Sequence, residues 1–267
     1  RVKISYFDKY GSAVNIKEGY AVRQNAFDNL GNLTSIKFLT VAGYPAKVKN
    51  YAPEIRYEYD LSGNRTKIEY LDGYGNRTNR DNENWSVLIS KYDEKDNEIE
   101  SAYYDYLMNP VLAKAGKVHL CRREYDDKCN MTKISYFGKN NEPILIDGVH
   151  CVKNEFDVEN RMTNQYYYGK NGQAVNATYG YHRIEYLYKA DGKESYQCKT
   201  YNLAGAKLDT YNWVSGQWQR VSNWRQDLAD YSKYQLPMDL GSDYYNFTVW
   251  SCNVENSEVK CIFKIMG

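Results

Sequence analysis

Residues 58–70 read EYDLSGNRTKIEY, and the pattern on either side of the central turn decides the fold. Before it, Ile55, Tyr57 and Tyr59 alternate with Glu54, Arg56 and Glu58; after it, Thr66, Ile68 and Tyr70 alternate with Lys67 and Glu69. A period of two marks a strand with one apolar and one polar face. At the turn, the Asp60 carboxylate can accept backbone amides, and Gly63 supplies the left-handed conformation of a type I turn followed by a bulge. The stretch predicts a short β-hairpin.

The phrase recurs. AFDNLGNLTSIKF, KYDEKDNEIESAY, EYDDKCNMTKISY, EFDVENRMTNQYY and LYKADGKESYQCK begin at residues 26, 91, 124, 155 and 187, a period of 31–33 residues. Each leads into a second phrase of the type YLDGYGNRT, with copies beginning at residues 6, 38, 70, 103, 136 and 167. The pre-turn position holds Phe27, Tyr59, Tyr92, Tyr125, Phe156 and Tyr188; the strand-end position holds Tyr6, Phe38, Tyr70, Tyr103, Tyr136 and Tyr167. A lone hairpin is marginal in water, so equivalent strands must stack these rings into ladders. The expected fold is all-β: six tandem hairpin repeats over residues 1–200, stacked into an elongated twisted sheet or solenoid. Residues 201–267, where the pattern decays and Trp213, Trp218, Trp224 and Trp250 appear, read as a Trp-rich C-terminal β cap.

With its recurring YEYDLSGNRT-type phrase, the chain resembles the tyrosine-aspartate repeats of the Rhs/YD family over residues 1–200. The resemblance implies a β-repeat architecture of the kind found in bacterial surface and wall-associated proteins, where such repeats serve as shells, stalks, adhesion modules or substrate-binding appendages.

Composition narrows the function classes. Thirty-five basic and 34 acidic residues nearly cancel, so no long-range field recruits nucleic acid or an anionic membrane. Twenty-nine tyrosines against seven phenylalanines favour half-exposed sheet surfaces, where the ring packs and the hydroxyl meets a polar partner. No apolar run is long enough for a membrane span, and the chain opens at Arg1 without a signal-like segment, so a soluble, processed or excised piece is expected. Cys121, Cys129, Cys151, Cys198, Cys252 and Cys261 form an even set without zinc-ribbon spacing; disulfides and an extracellular or cell-surface location are expected. Cys252 and Cys261 flank a polar turn and are candidates for a cross-strand bridge; Cys151 could pair with Cys121, Cys129 or Cys198. Sequons at Asn32, Asn64, Asn76, Asn84, Asn130, Asn176 and Asn246 are candidate glycosylation sites.

The chemistry-bearing residues fall into the repeat. His119, His150 and His182 each lie six residues before the pre-turn aromatic, a slot held earlier by Ala21, Pro53 and Ser86. Even spacing predicts that they share the ring-bearing face. One rung per repeat would bring neighbouring histidines close enough to share a metal ion; two strands per repeat would hold them about 10 Å apart, as packing residues. His150 and Cys151, adjacent on a strand, are expected on opposite faces and so are a poor nucleophile–base pair. Asp8, Asp28, Asp60, Asp72, Asp93, Asp105, Asp126 and Asp157 read as turn caps, without the spacing of a calcium roll. No phosphate loop, nucleophile elbow or HExxH occurs, so no catalytic residue and no cofactor is expected.

The expected function is therefore a non-catalytic extracellular repeat protein with a structural or adhesive role, self-associating through an N-terminal strand, Val2–Tyr6, that lacks its hairpin partner. The alternative is a glycan- or cell-wall-polymer-binding module using Tyr211, Trp213, Trp218 and Trp224 as stacking platforms. Self-association or neighbouring repeats are the expected partners, with glycans as partners in the alternative reading; nucleic acid and membrane insertion are not expected.

Overall fold

The computed structural model describes residues 2–80, 82–189, 192, 195–214, 216–221, 247–255 and 258–265, the last two stretches as backbone. The described residues hold no helix. Fifteen strands form one antiparallel sheet in strict chain order. They are β1 (Val2–Ser5), β2 (Val22–Phe27), β3 (Leu33–Leu39), β4 (Glu54–Tyr59), β5 (Arg65–Leu71), β6 (Val87–Tyr92), β7 (Glu98–Tyr104) and β8 (Leu120–Tyr125). After these come β9 (Met131–Phe137), β10 (Cys151–Phe156), β11 (Met162–Tyr168), β12 (Arg183–Tyr188), β13 (Ser195–Tyr201), β14 (Lys207–Val214) and β15 (Gln217–Arg220). A separate hairpin of β16 (Phe247–Glu255) and β17 (Glu258–Ile265) belongs to a second compact unit, Arg220–Gly267. Residues 1–200 are a unit of sequence pattern; the first compact unit runs on to Gln219, because β14 and β15 join the sheet.

Each repeat contributes two strands joined by the predicted turn. In EYDLSGNRT, Asp60 Oδ1 accepts the amides of Ser62 and Asn64 at 3.0 and 2.9 Å, and Asn64 Nδ2 donates to Oδ2 at 3.1 Å. Gly63 has φ +89°, and the register slips by one residue between Glu58 and Tyr59, the bulge expected for this turn. Equivalent bulges precede Phe27, Tyr92, Tyr125, Phe156 and Tyr188. The left-handed position also accepts non-glycine residues: Asp96, Cys129 and Asn160 stand there with φ of 63°, 64° and 63°.

The second phrase leaves the sheet. After β5, Asp72–Asn76 closes a second turn with the same bonding as Asp60–Asn64, Leu71 bridges Arg77, and the chain returns to the sheet through Ser86. The ring-bearing face is covered where these excursions meet the strands: Ala46, Val48, Ala52, Trp85 and Ala113 pack with Ile36, Phe38, Ile55 and Tyr70. Trp85 lies edge-on between Tyr70 and Tyr103, at 5.2 Å from each ring centroid. A second core, Val149, Val152 and Ala177 with Ile134, Tyr136 and Tyr167, serves the later repeats. Between the two, β8 brings polar groups to the ring face, Arg123 being paired with Glu98 at 2.8 Å.

The opposite face is more than a solvated charge surface. Glu54, on the polar face, is 1% accessible. Its two oxygens lie 2.8 Å from Arg56 Nε and 3.1 Å from Lys37 Nζ, which compensates the burial of its charge.

The array changes at its C-terminal side. Each earlier excursion makes a single bridge back to the strand it leaves and departs; after Asn202–Ala206 the chain keeps pairing as β14, with Gln197, Cys198 and Lys199 opposite Asn212, Tyr211 and Thr210. β14 thus occupies the sheet position that the next repeat's first strand would take.

Candidate functional site

Adjacent hairpins pair over only three positions: Ser35–Arg56, Ile36–Ile55 and Lys37–Glu54 between β3 and β4, and likewise at each later junction. Toward the tips the strands splay, leaving backbone carbonyls to be satisfied. The pre-turn tyrosine does this. Tyr59 Oη donates to Leu33 O at 2.9 Å, Tyr92 to Arg65 O at 3.2 Å, Tyr125 to Glu98 O at 3.1 Å and Tyr188 to Met162 O at 2.9 Å. Phe156 has no hydroxyl, and there Asn154 Nδ2 donates to Met131 O at 2.9 Å. Asn154 Oδ1 accepts from Gln165 Nε2 at 3.1 Å, and Gln165 Oε1 from Tyr167 Oη at 2.7 Å, which completes a polar chain on the ring face. Burial raises the Tyr70 and Tyr186 phenols to about 12 and the Tyr167 phenol further, so all three stay neutral.

The histidines are lattice parts of the same kind. The slot residue's carbonyl accepts the amide of the strand-end aromatic in every repeat, from Ala21 with Tyr6 to His182 with Tyr167. His119 Nδ1 lies 2.7 Å from Tyr103 O, His150 Nδ1 3.3 Å from Ile144 O, and His182 Nδ1 2.9 and 3.2 Å from Tyr167 O and Val175 O. A carbonyl only accepts, so each Nδ1 carries the proton. The predicted face is corrected here. The chain bends at the slot, so the residue before it, such as Trp85 or Tyr181, meets the ring ladder. The histidine rings turn to the other face and pack edge-on against Tyr104, Phe137 and Tyr168. Their strands are two apart, which separates successive slots by about 10 Å, too far to share one ion as the sole ligands.

The cysteine pairings are also corrected. Cys121, Cys129, Cys151 and Cys198 are free thiols. Cys121 shares a row with Tyr136, while Cys151, opposite Ser135, lies on the other face with a strand between them. Cys198 is three strands from Cys151, and Cys129 stands at an exposed tip, so none meets the Cα separation of about 4.4–6.8 Å that a disulfide needs. Burial raises the Cys198 thiol to about 11 and also lifts that of Cys121, which keeps both protonated. The Cys151 thiol points at Val152 O, 3.9 Å away. Cys252 and Cys261 are direct Cα partners in the last hairpin.

The turn sequons hold their own amide nitrogens: Asn32, Asn64, Asn76 and Asn130 Nδ2 donate to Asp Oδ2 at 3.0, 3.1, 2.9 and 2.9 Å. Asn84 Nδ2 donates to Leu112 O at 2.8 Å; Asn176 is exposed; Asn246 lies outside the described residues. Seven of the turn aspartates are held below the usual carboxylate range. For Asp72, Asp93 and Asp126 the leading cause is the Asn side-chain bond; for Asp28, Asp60, Asp105 and Asp157 desolvation opposes the shift and the summed turn bonds outweigh it.

Of the stacking candidates, Trp213 and Trp218 are 40% and 37% exposed, with ring centroids 5.1 Å apart, and Trp218 also reaches Tyr186 at 6.3 Å. Tyr211 is half-buried opposite Cys198, and Trp224 lies outside the described residues.

The sequence signals missed the basic row opposite the ring ladder. Glu124, Lys133, Lys153, Tyr166, Arg183 and Tyr201 are successive cross-strand partners from β8 to β13. The alternation could have exposed it, had the second face been read as closely as the first.

No family model and no curated protein matches the chain. Among solved structures it is similar to the crystal structure of TcdB2-TccC3-TEV, at 9% identity and a TM-score of 0.37, covering 79% of this chain and 11% of that one. A second is TcdB2-TccC3-Cdc42, at 13% identity and a TM-score of 0.26, covering 99% and 16%. The Tc holotoxin pore of Photorhabdus luminescens gives 13%, 0.26, 98% and 16%. The chain thus spans a small part of each, and the likeness is weak.

Proposed function

We propose that the protein is a non-catalytic repeat scaffold with a structural or adhesive role at the cell exterior, assembling by addition of a second copy to the edge of β1. The observation that carries this reading is the commitment of its chemistry-bearing side chains to the lattice: histidine Nδ1 on backbone carbonyls, pre-turn tyrosines on the carbonyls left by the splay, and aspartates on turn amides. β1 exposes Val2 and Ile4 at 49% and 40%, and its outer edge has no partner among the described residues. An open edge templates strand addition. Sedimentation velocity over rising concentration tests the assembly: growing oligomers that Ile4→Lys abolishes support it, and a monomer at every concentration removes it.

A second reading, a glycan- or wall-polymer-binding module, rests on the exposed Trp213–Trp218 pair. Glycan-array binding lost in Trp213→Ala and Trp218→Ala favours that reading over the scaffold alone.

A further inference from the structure

The β9–β10 junction differs from the other four. At the equivalent register the facing pairs are Ser35–Arg56, Lys67–Ile89, Glu100–Arg122 and Asn164–Glu185, but here Lys133 faces Lys153. Like charges directly opposite destabilise a strand pair, so this pairing needs a compensating negative charge. Lys133 has one in Glu124, at 2.6 Å. Lys153 has no carboxylate within 4.0 Å among the described residues; its ammonium sits 4.8 Å from the Tyr168 ring centroid. Two strands on, the Arg183 guanidinium lies over Tyr201 at 4.0 Å and also lacks a carboxylate partner among the described residues. Tyr166 stands between them as the cross-strand partner of both Lys153 and Arg183.

The surface is open at the same place. A depression lined by Lys133, Lys153, Tyr166 and Tyr168 meets a second one that runs between the hairpin tips, the two sharing Thr132, Asn154 and Glu155. The nearby carboxylates are occupied: Glu155 accepts from Tyr166 Oη at 3.1 Å and Asn164 Nδ2 at 3.0 Å, and Glu185 accepts from Tyr201 Oη.

We propose that this strip binds an acidic oligosaccharide, a chain of uronate-type sugars lying across β9–β13. Its carboxylates meet Lys153 and Arg183, and its rings lie against Tyr166 and Tyr168. The strand spacing of about 4.8 Å sets cations and rings at intervals comparable to one sugar of an extended chain. Tyrosine faces accept the C–H faces of sugars, and the ammonium groups select for negative charge. The interspersed Glu124, Glu155 and Glu185 disfavour the denser charge of a nucleic acid. This site goes beyond the scaffold reading, does not depend on self-association, and is separate from the Trp213–Trp218 pair.

The test is calorimetric titration of the full chain with a galacturonate hexamer, a neutral maltohexaose and a single-stranded oligonucleotide. The expected result is binding of the uronate oligomer that weakens at least tenfold in Lys153→Ala and in Arg183→Gln, weakens with added salt, and is unchanged in Trp213→Ala. Circular dichroism confirms that the variants fold; Lys153→Met, which keeps the apolar stem, separates charge from packing and should weaken binding equally. Equal binding of the neutral hexamer, tighter binding of the oligonucleotide, loss in Trp213→Ala, retention in Lys153→Ala, or no uronate binding would each overturn the proposal.

Discussion

The repeats of β2–β7 and those of β9–β13 are built from one phrase but held by different chemistry. In the first, the ring face is an aromatic and aliphatic core centred on Phe38, Tyr70 and Trp85, and the splays are bridged by tyrosine hydroxyls. In the second, the core is smaller, an amide chain through Asn154 and Gln165 replaces one hydroxyl bridge, and on the opposite face Lys153 and Arg183 lie over tyrosine rings with no carboxylate partner among the described residues. The lattice needs only that each carbonyl be met and each turn be capped. Which residue does so is open to variation, and that freedom lets a later repeat carry a binding surface without altering the backbone.

The largest expected effect separates the two cores. Trp85→Ala should destabilise the first by about 3–5 kcal/mol, whereas Val152→Ala in the second removes two methyl groups and should cost about 2 kcal/mol. Chemical denaturation measures both, and equal losses would erase the distinction. Next is the bridge itself. Asn154→Leu strands Met131 O and the Gln165 amide and should cost about 1–3 kcal/mol, more than Tyr59→Phe at about 0.5–1.5 kcal/mol, by the same measurement. The smallest is a gain. Cys129 holds a left-handed φ of 64° where Gly63 stands in an earlier repeat, so Cys129→Gly should stabilise by roughly 0.5–1 kcal/mol, read from the denaturation midpoint.

Acid should act on the turns of both regions alike. Asp28, Asp60, Asp72, Asp93, Asp105, Asp126 and Asp157 have folded-state pKa values below their unfolded value of about 3.9, so their contribution is complete above that pH and is lost as pH falls through and beneath it. Thermal melts between pH 6 and pH 2 should show a stability plateau followed by a decline that begins near pH 4. A decline already under way well above pH 4 would take the acid sensitivity away from the turn aspartates.

Much of this was legible in sequence because it is local. Alternation around EYDLSGNRT fixes two strands, and Asp60 with Gly63 fixes the turn and its bulge. The histidine slot was also legible as a slot. Its facing was not, because the bend at Ser86 and its equivalents breaks the alternation that parity counting assumes. The burial of Glu54 was not legible, because the Lys37 and Arg56 charges that make it tolerable lie across and along the sheet. The even number of cysteines suggested bridges, but pairing depends on which strands become neighbours, and Cys121 and Cys151 end on opposite faces. Alternation places Lys133 and Lys153 on the polar face, but that they face one another follows only from the inter-hairpin register.

The central claim is that residues resembling a reactive set are parts of the lattice, and the histidines test it most directly. Nitrogen-15 NMR of the imidazoles reports which ring nitrogen carries the proton. The lattice predicts the Nδ1–H tautomer for His119, His150 and His182, with resonances unmoved by added zinc. An Nε2–H tautomer, or shifts of all three signals on zinc addition, would contradict it.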